Sequence, residues 1–378
     1  MVSVTFPMVS VSFLAVKKLA VAYDGVLSRE SPIVDKRIST RQTKRVGIRD
    51  VARIAGVSAI TVSRALSVPH SVAPATRERI EQAVAQVGYI PNRVAGSLSS
   101  NQTRLIGAII PTFQSSVATD FAAGMAGVLR QRGYQLLLGG SNFSVEEEEA
   151  LVLGFLSHRA DGIYLTGTTH TERTRTVLEA SGVPVVEIAN PGGRHIDLAV
   201  GFSNADAAYE MTRHLAQCGY HKIAFFSLPT QDNERQVERL GGFRRGVAEF
   251  GLDADPALID EVPMGLGSAG EHLARLLERR PDVEALFCTT DLLAAGALFE
   301  CQRLGIAVPE RIGIAGFDDI EIAGRVHPAL TTVHLPHQQI GARAAELLLD
   351  RIAGKAIGSP VVDMGFRIVA RGSTRPPH

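Results

Sequence analysis

The sequence predicts an α/β chain that carries a small all-helical head. Three observations lead there. Residues 48–67, IRDVARIAGVSAITVSRALS, place apolar side chains at helical spacing on either side of a single glycine. A further helical run, PATRERIEQAVAQV, follows from Pro74 to Val87. From Arg104 onward, apolar strands alternate with amphipathic helices in two successive series, which is the pattern of parallel sheets covered by helices on both faces. Two such series make two doubly wound parallel-sheet lobes with a cleft between them. Ligands of such sheets sit beyond the carboxyl ends of the strands, so residues just after each strand are the candidates for binding.

In the head, Ile48, Val51, Ile54 and Ala55 mark the inner face of a first helix. Gly56 supplies the positive φ of the turn, Val57 plugs the space between the helices, and Ser58 is placed to accept the first free amides of the next helix. In that second helix Val62 and Leu66 face inward, which leaves Ala59, Ile60, Thr61, Ser63 and Arg64 outside. In the third helix Pro74 suits the first turn, Ile80 and Val84 face the core, and Gly88 caps the end. The following YIPNRVAGSLSSNQTR is rich in Pro, Asn and Ser and reads as a linker, with a marginal short helix over 92–99.

Charge sharpens this picture. The 378 residues carry no net charge, yet between Arg41 and Arg104 ten bases stand against three acids. A basic segment balanced by an acidic remainder is the footprint of a nucleic-acid surface. Hydrophobic content of 45% and charged content of 21% fit a soluble globular protein. Cys218, Cys288 and Cys301 form no CxxC pair and read as reduced packing residues of a cytosolic protein; no metal site is expected. The opening MVSVTFPMVSVSFLAV has no basic residue ahead of it, and Lys17-Lys18 interrupts the run, so residues 1–45 read as a disordered extension rather than an export signal. No segment reaches the roughly 20 apolar residues of a membrane span.

Taken in order, DVARIAGVSAITVSRALS, GYIPNRVAGSL, GFDD and PALTTV resemble the LacI-type bacterial repressor family over about residues 46–375. TTHTERT, VPVVE, DLAVGFSN and FECQRLGI are similar to its gluconate-utilisation repressor branch. The resemblance implies a helix-turn-helix domain over 46–91, a hinge helix over 92–103, and a periplasmic-binding-protein-like core over 104–378, with the chain crossing between lobes near 203 and 333. It implies a cytoplasmic, nucleoid-associated homodimer on a pseudo-palindromic operator of double-stranded DNA. With no heptad run near RIVARGSTRPPH, a dimer is expected rather than a tetramer. Ala59, Ile60 and Arg64 match the family's base-reading positions, and Ser58, Thr61 and Ser63 its phosphate contacts. Asn92, Arg93, Ala95 and Leu98 fall in the hinge, where Leu98 matches an apolar wedge that opens a minor-groove step. Gly96 departs from the pattern and weakens a helix there.

For the cleft, the resemblance implies a sugar or sugar-acid effector that modulates operator affinity. Arginine's planar fork suits a carboxylate. Arg235 and Arg239, in the segment after KIAFFSLP, match effector stations, as do Asp318 of GFDD and Thr290 after EALFCT. Thr112, Ser116, Glu187, Asn190 and Phe202 stand at or just after strand ends and complete the candidate set, with Phe202 placed to stack on a ligand's apolar face. Two other readings compete. GLGSAG, 265–270, fits a dinucleotide fingerprint with Asp291 about twenty residues on, which points to an NAD-dependent oxidoreductase. Against it stand the strand broken by Pro263 and the lack of accompanying catalytic residues. A sugar-binding transport protein shares the core but has no basic head. No GxSxG, HExxH or P-loop pattern is present, so no enzyme activity and no cofactor are expected.

Overall fold

The turn at Gly56 sets the head. In the computed structural model, which describes residues 46–67, 69–90, 102–188 and 190–378, helices α1 (Ile48–Ala55), α2 (Ala59–Ser67) and α3 (Pro74–Val87) close on one small core. Gly56 has φ +66°, a left-handed value that suits a residue without Cβ, and Ser58 Oγ accepts from Thr61 N at 3.1 Å as the cap of α2. Val51, Val62 and Ile80 are fully buried and meet at the centre. The inner face of α1 differs by one position from the sequence expectation. Ile54 is 39% exposed, and Ala52 turns inward instead, completing the 48, 51, 52, 55 stripe. Ala59, expected outside, is half-buried against the same core.

The second compact unit holds both lobes. Its first series runs β1 (Leu105–Ile110), α4 (Ser116–Gln131), β2 (Gln135–Gly140), α5 (Val145–Ser157), β3 (Gly162–Thr166), α6 (Glu172–Ser181), β4 (Val185–Ile188) and β5 (Leu198–Gly201). After α7 (Asn204–Gln217) come β6 (Ile223–Ser227), α8 (Glu234–Glu249), β7 (Ile259–Glu261), α9 (Leu266–Arg279), β8 (Ala285–Cys288), α10 (Asp291–Leu304) and β9 (Gly313–Ala315). The chain ends with β10 (Thr332–His334), α11 (His337–Ile352), β11 (Val361–Asp363) and β12 (Arg367–Val369). One sheet is parallel with strand order β11-β5-β4-β3-β1-β2, and the other is parallel with order β7-β6-β8-β9. The chain passes from the first lobe to the second after β5, returns between β10 and α11, and crosses again between β11 and β12 to pair β12 antiparallel with β10. The third passage has no signal in the sequence. Cys218, Cys288 and Cys301 are buried free thiols.

Glycines let the covering helices approach closely. An added Cβ at Gly124 of α4 would lie 2.0 Å from the Gln338 carbonyl oxygen of α11, and one at Gly341 2.1 Å from that of Phe121. Gly242 against Ala205 and Gly296 against Leu266 repeat the device in the second lobe. This accounts for part of GLGSAG: the segment opens α9 where it packs on α10, and β7 before it is a three-residue edge strand.

A charged triad is buried in the first lobe. The His170 imidazolium donates through Nδ1 to Glu148 Oε1 at 2.6 Å and through Nε2 to Glu187 Oε1 at 3.1 Å, with its side chain fully enclosed. Burial opposes the charged ring, but the two carboxylates outweigh it and hold the imidazole up at about 9.

Gly341→Ala should lower stability by about 2 kcal/mol, because the clash is with backbone that cannot rotate away; urea unfolding measures it. His170→Ala should cost about 3 kcal/mol by leaving two enclosed carboxylates without their cation. A raised histidine stabilises fully below its ordinary value of 6.5 and loses that contribution as pH climbs through about 9. The gap between wild type and variant should therefore be widest in mild acid and narrow in alkali.

Candidate functional site

The head presents one face built for contact. On α2, Ile60 is 69% exposed, and Ser63 and Arg64 are exposed beside it. An isoleucine that open to water, next to a guanidinium and two hydroxyl residues, forms an apolar and cationic surface suited to base edges and phosphates. Thr61 is half-buried and its Oγ1 lies 2.8 Å from Ser58 Oγ, so both hydroxyls are partly engaged in capping. Asn92, Arg93, Ala95 and Leu98 lie outside the described residues, as does the 1–45 extension.

The cleft between the two sheets is lined from both lobes. Thr112, Phe121 and Thr166 come from the first; Arg235, Arg239, Thr290 and Asp318 come from the second. Phe202, Asn204 and His337 line the adjoining hollow. Arg239, 7% exposed, anchors the floor. Its Nε donates to Asn204 Oδ1 at 2.8 Å, its Nη1 donates to the Thr289 carbonyl at 2.6 Å, and its Cζ sits 3.7 Å over the Phe317 ring. Among the described residues no carboxylate lies within ion-pair distance of this guanidinium. Burial draws it down to about 10, still charged at neutral pH. Arg235 stands one turn earlier, its Nε 3.3 Å from Asn233 Oδ1.

Asp318 follows β9 with φ +106°, a backbone value rare for a residue with a side chain and typical of functional positions. Burial pushes its carboxyl up to about 7 despite the pull of Arg239 and Arg235. His337 Nε2 lies 3.8 Å from Asp318 Oδ1, and burial followed by Arg239 draws this imidazole down to about 4. The ring meets Phe121 edge-on at 5.0 Å. The turn carrying Asp318 is braced from behind by Asp291, whose Oδ2 accepts from Ile320 N at 2.8 Å and whose Oδ1 accepts from the Thr332 hydroxyl at 2.5 Å. Gly316 is required there, since a Cβ would come 2.1 Å from Asp291 Oδ1. Asp291 is therefore a strut, neither a ribose ligand nor the cap of α10; Thr290 Oγ1 is that cap, accepting from Leu293 N at 3.2 Å.

Three sequence candidates lie elsewhere. Glu187 has both oxygens engaged away from the cleft, one on His170 and the other on Ile196 N at 2.6 Å. Ser116 is the exposed first residue of α4, and its neighbour Ser115 reaches the lining instead. Asn190 donates through Nδ2 to Glu238 Oε1 at 2.8 Å, bridging the lobes rather than pointing into the hollow. Gln236, Phe317 and His337 went unread in the sequence. Gln236 and His337 sit in helix starts, where position relative to a partner lobe leaves no local signal.

Comparison with known proteins places this geometry. Residues 47–92 match the family model of bacterial regulatory proteins of the lacI family, and residues 212–374 that of the periplasmic binding protein-like domain. The chain is 36% identical over 331 residues to the HTH-type transcriptional regulator GntR of Escherichia coli K12, covering 87% of this chain and 99% of that one. It is 35% identical to IdnR of the same organism, over 86% of this chain and 97% of that one. Among solved structures, a LacI-family regulator from Silicibacter pomeroyi superposes with TM-score 0.81 at 31% identity, covering 87% and 99% of the two chains. GntR from Chromobacterium violaceum gives 0.68 at 38%, covering 71% and 99%. Neither the oxidoreductase nor the transport reading finds support in these relatives, which are regulators rather than enzymes. At 24% identity and TM-score 0.75 the same fold is found in the lac repressor, solved as a dimer bound to operator. No helix among the described residues is long and apolar enough to cross a membrane. With a head and core that both match and full-length relatives above 30% identity, this chain belongs to the LacI family of helix-turn-helix transcriptional regulators.

Proposed function

We propose that this protein is a cytoplasmic, nucleoid-associated repressor whose grip on a pseudo-palindromic operator is relieved by a small sugar acid, with gluconate the first ligand to try. The observation that carries the reading is the enclosed Arg239 guanidinium, which has no carboxylate partner among the described residues. A buried cation with no direct ion-pair partner, whose nearby carboxyl Asp318 is itself pushed toward the neutral form, favours an anion that arrives from outside. Around it, Thr112, Asn233, Gln236 and Asp318 offer the hydrogen-bonding groups that a polyhydroxylated chain needs. Gln236 Oε1 and His337 Nε2 are buried without partners, which suits ligand hydroxyls. The similarity to GntR and IdnR supports the same choice.

In this reading residues 46–91 are the reading head, 92–103 the hinge and 104–378 the effector and dimerisation core. The protein acts as a homodimer, one head per half-site. Ala59, Ile60 and Arg64 read bases, Ser58, Thr61 and Ser63 fix register on phosphates, and Asn92, Arg93, Ala95 and Leu98 engage the minor groove. Ligand seated between the lobes favours one lobe arrangement and weakens the operator complex by its differential affinity, typically about 1–3 kcal/mol.

Arg239→Gln should weaken gluconate binding by roughly 30-fold or more, the worth of a charge-assisted contact, while leaving operator affinity without ligand unchanged. Calorimetry measures this; undiminished binding by the variant removes Arg239 from the site. Arg64→Ala should cost about 1–3 kcal/mol of discrimination at one operator base pair and spare gluconate binding. Selection from random duplexes followed by footprinting reads that change, and a specificity profile identical to wild type defeats the assignment.

A further inference from the structure

The two lobes are joined at the mouth of the cleft by the first turns of α8. Glu234 reaches across to the loop after β3, where its Oε1 accepts from Thr168 N at 2.9 Å and its Oε2 accepts from the Thr169 hydroxyl at 2.8 Å. The approach is tight enough that Gly167, at φ +94°, has no room for a Cβ, which would lie 2.5 Å from Glu234 Oε1. Arg175 holds the same loop through the Thr168 carbonyl. One turn on, Glu238 Oε1 accepts from Asn190 Nδ2.

The second contact is only half made. Asn190 Oδ1 and Glu238 Oε2 are both buried and both without a hydrogen-bond partner. Both are acceptors, and a buried acceptor left unmade costs free energy. A hydrogen on Glu238 Oε2 would turn one of these unmet acceptors into a donor, of the kind that Asn190 Oδ1 lacks. We propose that Glu238 takes up a proton from solvent as the lobes close, so that ligand binding in the cleft is coupled to proton uptake and weakens as pH rises; this regulation rests on the cleft being the effector site.

The groups around Glu238 pull both ways: burial and Glu234 favour the neutral acid, while the Asn190 hydrogen bond, Arg239 and Arg235 oppose it, and burial prevails. On α8 itself Glu238 faces Glu234, Arg235 and Arg239; from the first lobe it meets Asn190, whose loop also carries His195 and is steadied by Arg175 through the Arg194 carbonyl. Burial, reinforced by Glu234, raises the Glu238 carboxyl above its ordinary range. Among the described glutamates with a displaced value, the others are held low by hydrogen bonds. The Glu234 contact asks for no proton, because both its oxygens already meet donors.

Glu238→Gln is the informative variant, because glutamine presents the same acceptor and a permanent donor in place of the acid. The experiment uses the full chain, wild type and E238Q, from about pH 4.5 to pH 8.5, because the Glu238 carboxyl is raised above its ordinary value of 4.5. In thermal unfolding without ligand, wild type should lose stability relative to E238Q as pH rises. In gluconate calorimetry run in buffers of different ionisation enthalpy, wild type should take up more protons than E238Q at pH above the ordinary carboxylate range. Its Kd should also rise roughly 5-fold more across the range, since one group titrates in one protein and not in the other. Asp318 contributes equally to both and cancels. Parallel pH profiles for the two proteins in unfolding and in binding would overturn the proposal. If gluconate binds neither protein, the effector reading falls, and the unfolding comparison still decides the proton. Should E238Q not fold, infrared spectra of wild type labelled with ¹³C at glutamate carboxyls decide: a protonated glutamate band that persists to higher pH than those of the other glutamates supports the proton, and its absence refutes it.

Discussion

The cleft is organised around a guanidinium kept out of water with no carboxylate among the described residues within ion-pair distance. Burying an isolated charge is expensive, and the fold offsets that cost with neutral groups. Asn204 and the Thr289 carbonyl accept two of the Arg239 hydrogens, and the Phe317 face covers the carbon. Each of these groups is set by a different element: Asn204 by the start of α7, Thr289 by the end of β8, and Phe317 by the end of β9. A site for an anion is thus assembled at the carboxyl ends of adjacent strands, where doubly wound sheets leave their loops free to diverge. Had a carboxylate satisfied Arg239 internally, the cleft would carry no net attraction for an acid.

Holding that charge requires lobes that are stiff inside and adjustable between. Stiffness comes from helices packed to backbone contact at Gly124, Gly242, Gly296 and Gly341, and from strands whose side chains are buried on both faces. Adjustability comes from three connecting passages and from hydrogen bonds, rather than apolar packing, at the mouth. Packed cores resist continuous deformation, so motion is channelled into the passages. A ligand that bridges Thr112 and Arg239 would touch both lobes at once and so bias their arrangement.

How much of this was legible in the sequence follows from the range of the forces involved. The helices of the head and the strand–helix alternation are local properties, and Gly56, Ser58, Pro74 and Gly88 do what their chemistry dictates. Ile54 was misplaced because both it and Ala52 fit an inward stripe by spacing, and only packing against α3 chooses between them. Arg235, Arg239, Thr290 and Asp318 were singled out by the family resemblance and by standing after strands, and the topology brings all four to the lining of one cleft. Glu187 and Asn190 also stand at strand ends, but what each side chain meets is decided by residues far along the chain: His170 for one and Glu238 for the other. His337 was missed for the converse reason, since it enters the hollow only through the return passage into α11.

Those two glutamates, Glu187 and Glu238, show how one residue type serves opposite ends in a single core. Glu187 is enclosed with an imidazole that burial alone would have left neutral, and the carboxylates keep it charged. One of the two negative charges on that side of the first lobe is therefore offset internally by the imidazolium. Glu238 is half-buried against an amide, which offers no charge, and burial raises its acid instead. Asp318 follows the same course, its carboxyl lifted to about 7 between two arginines. The acids near the cleft are thus either matched by a cation of their own or biased toward the neutral form, while Arg235 and Arg239 remain cationic. A low-dielectric hollow whose acids are muted and whose bases are not holds a net positive potential, and that potential follows from burial rather than from any excess of basic residues in the core.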